Sequence, residues 1–159
     1  DVEIGDVGEL VLKSAANMRC YLNKDAETSE VLKDGWLYTG DLAKIDKNEL
    51  ITLVDRKKNI IIRGGENISA QEVQTVILEH PDVIEAAIFA LPNERLGEIV
   101  GACVFCGETS NADEDSLKEF LRKSLAAYKI PEHIWFKKKP LPRVASEKID
   151  VEALKKEYS

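Results

Sequence analysis

The sequence has no long hydrophobic run and no excess of positive charge. Its uncharged, mostly apolar stretches are short, as from Ala86 to Pro92, whereas a membrane-spanning helix needs about 20 apolar residues. No transmembrane segment is therefore expected. The 159 residues include 22 Lys and Arg against 29 Asp and Glu, which gives a net charge of −7. Because binding to nucleic-acid phosphates needs clustered cations, nucleic acid is not expected as a partner.

Cysteine is scarce, and the common phosphate-binding loops are missing. Cys20, Cys103 and Cys106 have no disulfide-framework spacing, which fits a reducing compartment. Since the first residues do not resemble a signal sequence, a cytoplasmic protein is predicted. Cys103 and Cys106 form a CxxC, but strand residues three apart point to opposite faces of a sheet, so no metal site is expected. Neither GxGxxG nor GxxxxGK[ST] occurs, and a complete nucleotide-phosphate loop is not predicted.

What is present is the composition of a soluble globular protein, with 44% hydrophobic and 32% charged residues. Residues 1–57 read as short strands separated by turn residues such as Asp34-Gly35 and Lys47-Asn48. Residues 58–159 alternate between strand and helix patterns. The predicted fold class is α+β, with a small β-rich segment followed by a C-terminal domain. That domain is expected to hold an antiparallel sheet of three or more strands flanked by helices. Four consecutive charged residues, Asp55 to Lys58, predict a solvent-exposed turn and a candidate hinge.

Elements in the second part follow from periodicity and from helix-start signals. The predicted strands are 59–63, 83–91, 98–106 and 134–137, and the predicted helices are 69–80, 113–127 and 150–157. Ser69 and Glu72 have the spacing of a capping box at the start of the first helix. Apolar stripes at helical spacing predict the core-facing sides of the first two helices: Val73, Val76, Ile77 and His80, then Leu117, Phe120, Leu121 and Leu125.

Four short segments carry residue types suited to nucleotide chemistry, and each has a structural alternative. Thr39-Gly40-Asp41 ends in a carboxylate that can accept two hydrogen bonds from ribose hydroxyls, or it is turn chemistry. Arg56 suits phosphate or ribose oxygens, or it is a solvated arginine. Gly64-Gly65, between a predicted strand and a predicted helix start, admits a ligand close to the backbone or makes a tight turn. Lys148 lies in a segment without apolar periodicity, where a lysine is ordinarily a solvated charge.

The order and spacing of these segments resemble those of the adenylate-forming enzymes. The strings are GWLYTGDLAKID, DRKKNIIIRGGENISAQEVQ, AAYKIP and LPRVASEKIDVEAL, and together they cover nearly the whole chain. The family includes acyl-CoA synthetases, 4-coumarate ligases, luciferases and the adenylation domains of peptide synthetases. AAYKIP and ENISAQEV are most similar to the acyl-CoA synthetase branch.

The resemblance implies a two-step reaction. A carboxylic acid attacks the α-phosphate of ATP to form an acyl-adenylate, and the thiol of CoA then displaces AMP. By similarity, Asp41 and Arg56 bind the nucleotide, and Lys148 is the catalytic lysine that bridges the substrate carboxylate and the α-phosphate. Lys58 matches the family's hinge, and Gly64 and Gly65 would leave room for the pantetheine arm of CoA.

The resemblance also implies that much of the enzyme lies upstream of Asp1. The phosphate loop, the acyl pocket and the acidic residue that holds Mg²⁺ precede the matching region in the family. Residues 1–57 would be the last β-rich part of the large N-terminal region, and residues 58–159 the complete small mobile domain. The chain alone is therefore expected to be inactive and to require the missing N-terminal domain as a partner.

One departure from the family pattern leaves two alternatives open. The family usually has Gly before the catalytic lysine, whereas here the segment is Ser146-Glu147-Lys148-Ile149. Glu147 is the best hint of a regulatory or interaction module that keeps the scaffold without the chemistry. The other alternative is an adenylating enzyme that loads a carrier-protein phosphopantetheine instead of CoA.

Overall fold

The computed structural model describes residues 2–107 and 110–158 of the chain. It divides into two compact units, the first ending at Lys58 and the second beginning at Asn59. Among the described residues, no helix is both long and apolar enough to cross a membrane.

The first unit is built around one long strand of an antiparallel sheet. Its elements are β1 (Val7–Leu12), α1 (Asp25–Val31), β2 (Leu32–Lys33), β3 (Trp36–Ile45) and β4 (Ile51–Arg56). Strand β3 pairs with each of the other three strands. Asp34 and Gly35 both have positive φ, 51° and 81°, which is the backbone of a type I′ hairpin turn. The predicted turn between β2 and β3 is thus confirmed.

The sequence predicted a turn over the whole charged run Asp55 to Lys58, but only the second half of the run leaves the strand. Asp55 and Arg56 complete β4 and pair with Leu42 and Asp41 of β3. Only Lys57 and Lys58 leave the strand, in a short 3₁₀ helix that ends at Asn59. The polar side chains tolerate an exposed sheet edge as well as they tolerate a loop, so charge alone did not distinguish the two.

The second unit is a five-stranded sheet with helices packed on it, which confirms the predicted α+β class. Its elements are β5 (Ile60–Arg63), β6 (Glu66–Ser69), α2 (Ala70–Leu78), β7 (Val83–Asn93), β8 (Gly97–Cys106), α3 (Glu114–Leu121), β9 (His133–Lys137) and α4 (Val151–Tyr158). The sheet order is β6-β5-β8-β7, and β9 also pairs with β8. All pairs are antiparallel except β8 with β9.

Two hydrophobic clusters occupy opposite faces of this sheet, because successive residues of β7 point to alternate sides. Ala86 and Ile88 join the first cluster with the stripes of α2 and α3, whose Val73, Ile77, Leu117 and Leu121 are fully buried as predicted. Phe89 and Leu91 join the second cluster, together with Leu141 and with Leu154 of α4.

The two cysteines of the CxxC separate in the same way. Cys103 belongs to the second cluster and Cys106 packs against the first, which confirms the predicted divergence of their sulfurs. Burial raises the pKa of the Cys103 thiol to about 11, so this thiol stays protonated at neutral pH and behaves as a small apolar side chain.

Candidate functional site

The first unit brings two of the predicted site residues into direct contact. Asp41 and Arg56 lie opposite each other on β3 and β4, and Arg56 Nε is 3.0 Å from Asp41 Oδ1. The Arg56 side chain is 61% exposed and the Asp41 side chain 29%. The pair therefore presents a polar, accessible edge, and the ion pair fixes the direction of the carboxylate.

Backbone irregularities next to the pair explain its geometry. The β3–β4 register shifts between Leu42 and Ala43, and bulges of this kind re-aim neighbouring side chains. Gly40 has φ of +73°, and a Cβ at this position would meet nothing within 4 Å. The Thr39 hydroxyl donates to the carbonyl of Leu10 (2.7 Å) and accepts from the amide of Asp41 (3.1 Å). The TGD segment therefore lies within β3 at an irregularity of the strand, and its hydrogen bonds fix the backbone that carries the carboxylate.

Glu9 of β1 completes this region and was not predicted from the sequence. Its carboxylate accepts from the amide of Gly40 (3.3 Å) and from Lys57 Nζ (2.9 Å). A pocket of about 400 Å³ lies beside these groups, lined by Thr39, Gly40, Arg56, Lys57 and Lys58. Its lining offers hydrogen-bond donors and three cationic side chains to an anionic ligand.

Gly64 and Gly65 form a tight turn between β5 and β6, which is one of the two alternatives that the sequence offered, but the strand β6 that follows was not predicted. A two-stranded hairpin pairs Arg63 with Glu66, and both glycines have positive φ, 59° and 93°, so this is a two-residue turn that favours glycine. The helix starts later, at Ala70, where the Ser69 side chain accepts from the amide of Glu72 (3.0 Å). A Cβ on Gly64 would lie 3.3 Å from Leu96, whereas one on Gly65 would meet nothing within 4 Å. The backbone at Gly65 is open to a ligand.

Lys148 lies on a small hairpin that joins β9 to α4. The hairpin closes through a bridge between Arg143 and Ile149 and a bond from the amide of Val144 to the carbonyl of Lys148 (2.9 Å). The Lys148 side chain is exposed. Among residues 2–107 and 110–158, no ion pair engages its ammonium. The backbone of the lysine is therefore fixed while its charge stays available.

Glu147, the departure from the family pattern, has φ of +63°. Its amide donates to the carbonyl of Val144 (2.9 Å), so it occupies the left-handed position that closes the turn. Glycine adopts this conformation without a steric penalty. Glu147 accordingly retains the hairpin that a glycine would form, and its side chain is exposed.

Glu85 and Arg143 hold the base of this hairpin, and the motif comparison did not find them. The Glu85 carboxylate of β7 accepts from the amide of Leu141 (2.7 Å) and from the Arg143 guanidinium. Arg143 also donates to the carbonyl of Glu147 (2.6 Å). A signal did exist, because Glu85 is one charge inside the apolar strand VIEAAIFAL, but its partners are too distant in the sequence to identify.

Comparison with known proteins connects these positions to one family. Residues 72–148 match the profile of the AMP-binding enzyme C-terminal domain. The chain is 41% identical to the long-chain-fatty-acid–CoA ligase of Bacillus subtilis (strain 168), over 89% of this chain and 25% of that protein. It is 36% identical to the 2-succinylbenzoate–CoA ligase of Geobacillus kaustophilus, over 91% and 29%. It is 39% identical to the peroxisomal trans-cinnamate:CoA ligase of Petunia hybrida, over 90% of this chain and 25% of that protein. The chain thus spans between a quarter and three tenths of the length of these relatives.

Solved structures give the same grouping. The o-succinylbenzoate CoA synthetase of Bacillus subtilis, in complex with its acyl-adenylate intermediate, superposes with a TM-score of 0.88 and 32% identity, covering 97% of this chain and 31% of that one. ATP-bound MatB of Rhodopseudomonas palustris superposes with a TM-score of 0.87 and 29% identity, covering 99% and 31%.

Proposed function

This chain belongs to the adenylate-forming enzymes and holds the C-terminal domain of these AMP-binding enzymes, and from this premise we propose that it is the part of an AMP-forming acyl-CoA ligase that supplies the catalytic lysine. The observation that carries the proposal is the exposed Lys148 side chain on a hairpin with a fixed base. In the complete enzyme its ammonium would stabilise the negative charge that gathers on the carboxylate and the α-phosphate during adenylation.

The nucleotide would be held in part by Asp41 and Arg56. The carboxylate of Asp41, oriented by the ion pair at 3.0 Å, would accept hydrogen bonds from the ribose hydroxyls. Arg56 would reach the ribose or phosphate side, and the cationic lining of the adjacent pocket suits an anion. These are positioning functions that fix the reacting groups in place.

CoA and Mg²⁺ would meet different parts of the enzyme. The open backbone at Gly65 suits a narrow pantetheine chain, which needs close approach. Among the described residues, no cluster of His, Cys, Asp or Glu is placed to hold a metal, and the Mg²⁺ that accompanies ATP would be held by another part of the ligase. By the same reasoning the 159-residue chain alone would not be an active ligase.

Rotation about Lys58 would let one small domain serve both half-reactions. Lys58 is exposed within the 3₁₀ segment between β4 and β5, and hinges need only a few residues that absorb a backbone change. One conformation would present Lys148 to the adenylate site, and the other would present the Gly64-Gly65 turn to CoA.

The test is to separate the half-reactions in the complete enzyme. Lys148→Ala should lower the rate of adenylation, measured as pyrophosphate exchange, by a factor on the order of 10²–10³. Thioester formation from supplied acyl-adenylate should be retained, because the lysine would not act in that step. Lys139→Ala, which removes another exposed lysine, is the matched control and should leave both rates unchanged. Equal losses of both half-reactions in Lys148→Ala would refute the assignment.

A further inference from the structure

We propose that Glu85 and Arg143 are positioning residues that hold the Lys148 hairpin in the orientation needed for adenylation. The proposal rests on the catalytic role of Lys148 proposed above. Neither residue would touch substrate; both would act through the backbone of the hairpin.

Glu85 is the fixed end of the arrangement. It lies on β7, which forms ten residue pairs with β8, and its side chain is only 14% exposed. One oxygen accepts from the amide of Leu141 at 2.7 Å, and the other accepts from the Arg143 guanidinium. A largely buried carboxylate is retained at a cost unless it is paired and hydrogen-bonded, and here both oxygens have partners at the base of one hairpin.

Arg143 links the Glu85 carboxylate to the tip of the Lys148 hairpin. Its second terminal nitrogen donates to the carbonyl of Glu147 at 2.6 Å, one residue before Lys148. The planar guanidinium is suited to holding two acceptors in a fixed relative direction. A continuous set of hydrogen bonds therefore runs from the sheet through Glu85 and Arg143 to the peptide bond that precedes Lys148.

Packing alone does not supply this constraint. Leu141 is 2% exposed and anchors the base in the second hydrophobic cluster, but the next seven residues, 142–148, are exposed. Exposed backbone with few apolar contacts opens easily. Backbone hydrogen bonds keep the shape of the hairpin itself, and the Glu85–Arg143 pair ties that hairpin to the sheet while leaving the lysine ammonium unengaged.

The expected result is a defect confined to one half-reaction. In the complete enzyme, Glu85→Gln keeps the shape of the side chain but can no longer accept at both positions, and Arg143→Lys cannot reach two acceptors. Each should lower kcat of adenylation by about 10-fold to 100-fold, the range expected when a reacting group is displaced by about 1 Å. KM for ATP and the rate of thioester formation from supplied acyl-adenylate should each change less than about twofold, since neither ATP binding nor the second half-reaction would depend on Lys148. The double variant should be no worse than the more impaired single variant, because both act through one contact.

If Glu85 and Arg143 only stabilise the fold, their variants should lose stability without a specific loss of adenylation. Glu157→Gln is the control for such a loss of stability. That substitution breaks another carboxylate–cation pair of the second unit, Lys137 with Glu157 at 2.6 Å, which includes no residue of the hairpin, and it should leave kcat of adenylation unchanged. If Glu85→Gln and Arg143→Lys lower only the melting temperature, as Glu157→Gln would, the positioning role is wrong. Backbone ¹⁵N relaxation gives an independent readout, because the amides of Glu147 and Lys148 should become more mobile in both variants, and unchanged mobility would overturn the proposal.

Lys148→Ala separates the two levels of inference. Loss of adenylation in Lys148→Ala with full activity in Glu85→Gln and Arg143→Lys would overturn the positioning role and leave the proposed function standing. Retained adenylation in Lys148→Ala would overturn the proposed function itself.

Discussion

At the scale of single residues, Glu147 shows how a departure from a family motif can preserve a conformation. Its φ of +63° brings Cβ close to the following carbonyl, which costs about 1–2 kcal/mol for a residue other than glycine. The hydrogen bonds of the hairpin compensate for this cost. The carboxylate itself contacts no cation among the ion pairs of the described residues, so the consequence of Glu147 is conformational.

Glu147→Gly should therefore stabilise the protein. The free energy of unfolding is expected to rise by about 1 kcal/mol, because removal of the strained Cβ outweighs the added freedom of glycine in the unfolded chain. Urea denaturation measures the change. Glu147→Ala removes the same carboxylate but keeps Cβ, and it should give no gain. An equal gain from both variants would show that the charge, and not the backbone, is responsible. Glu49, also at φ of +63°, offers a second site where the glycine variant should stabilise.

Residue types were the most predictable feature of the site. Asp41, Arg56 and Lys148 have the carboxylate, guanidinium and ammonium groups that suit a nucleotide and its phosphates, and the resemblance to the adenylate-forming enzymes is what singles them out. The structure pairs Asp41 with Arg56 and exposes Lys148. Their roles in binding and catalysis, and those of Lys58, Gly64 and Gly65, stay predictions until the half-reactions are measured.

At the scale of elements, helix α3 begins at an N-cap whose contribution to stability depends on pH. Asp113 is its N-cap, and the carboxylate accepts from the amide of Ser116 at 2.8 Å while the Ser116 hydroxyl accepts from the amide of Asp113 at 2.9 Å. Hydrogen bonds from Ser116 hold the pKa of the Asp113 carboxyl below its usual range. The ionised carboxylate also interacts favourably with the positive end of the helix dipole.

This cap should make the stability of the protein depend on acid pH in a specific way. Because the folded pKa is lower than the unfolded value of about 3.9, the contribution of the cap is fully present above that value. It is lost as the pH falls through the folded pKa. Asp113→Asn retains a good N-cap but cannot titrate, so the free energy of unfolding of this variant should fall less with acid than that of the parent. Urea denaturation at a series of pH values from about 5 to about 2, which brackets the aspartate range, measures the difference. Glu119→Gln removes a carboxylate from the same helix without touching the cap, and it should follow the parent curve.

Elements with strong periodicity or capping signals were predictable, and short ones were not. The sequence placed α2 and its Ser69 cap correctly, since both signals are local. It missed α1, which buries none of its residues and so lacks an apolar stripe. It also missed β6, because four residues between a glycine turn and a helix start carry too little pattern. The predicted helix 113–127 ends at Leu121, and a separate 3₁₀ turn covers Ala127–Lys129.

At the scale of the whole molecule, buried apolar surface is distributed very unevenly. Among the described residues of the first unit, Ala43 is the only buried hydrophobic one, and all other members of the core lie beyond Lys58. The first unit instead exposes large apolar side chains, including Leu50, Ile51 and Leu53 near β4. Since apolar burial is the main favourable term in folding, the second unit should be the more stable.

The two tryptophans make this prediction measurable, because the chain has one in each unit. Trp36 opens β3, and Trp135 stacks on Tyr158 with ring centroids 4.0 Å apart. In urea, fluorescence of the Trp135→Phe variant should report unfolding of the first unit at a lower midpoint. Fluorescence of the Trp36→Phe variant should report the second unit at a higher midpoint. Coincident midpoints would mean that the units unfold cooperatively as one.

The sequence by itself determined what depends on near neighbours: the period of each helix stripe, the Ser69 cap, the Asp34-Gly35 turn, and the ordered motifs that identify the family. Only the tertiary structure decided which distant groups meet. Glu85 and Arg143 are 58 residues apart, and Glu9 and Lys57 are 48 apart. Such pairs form because folding brings distant segments together, and a single hydrogen bond between two side chains leaves no periodic pattern in either segment. The residues proposed for the chemistry could therefore be singled out from the sequence, whereas the residues that contact and orient them could not.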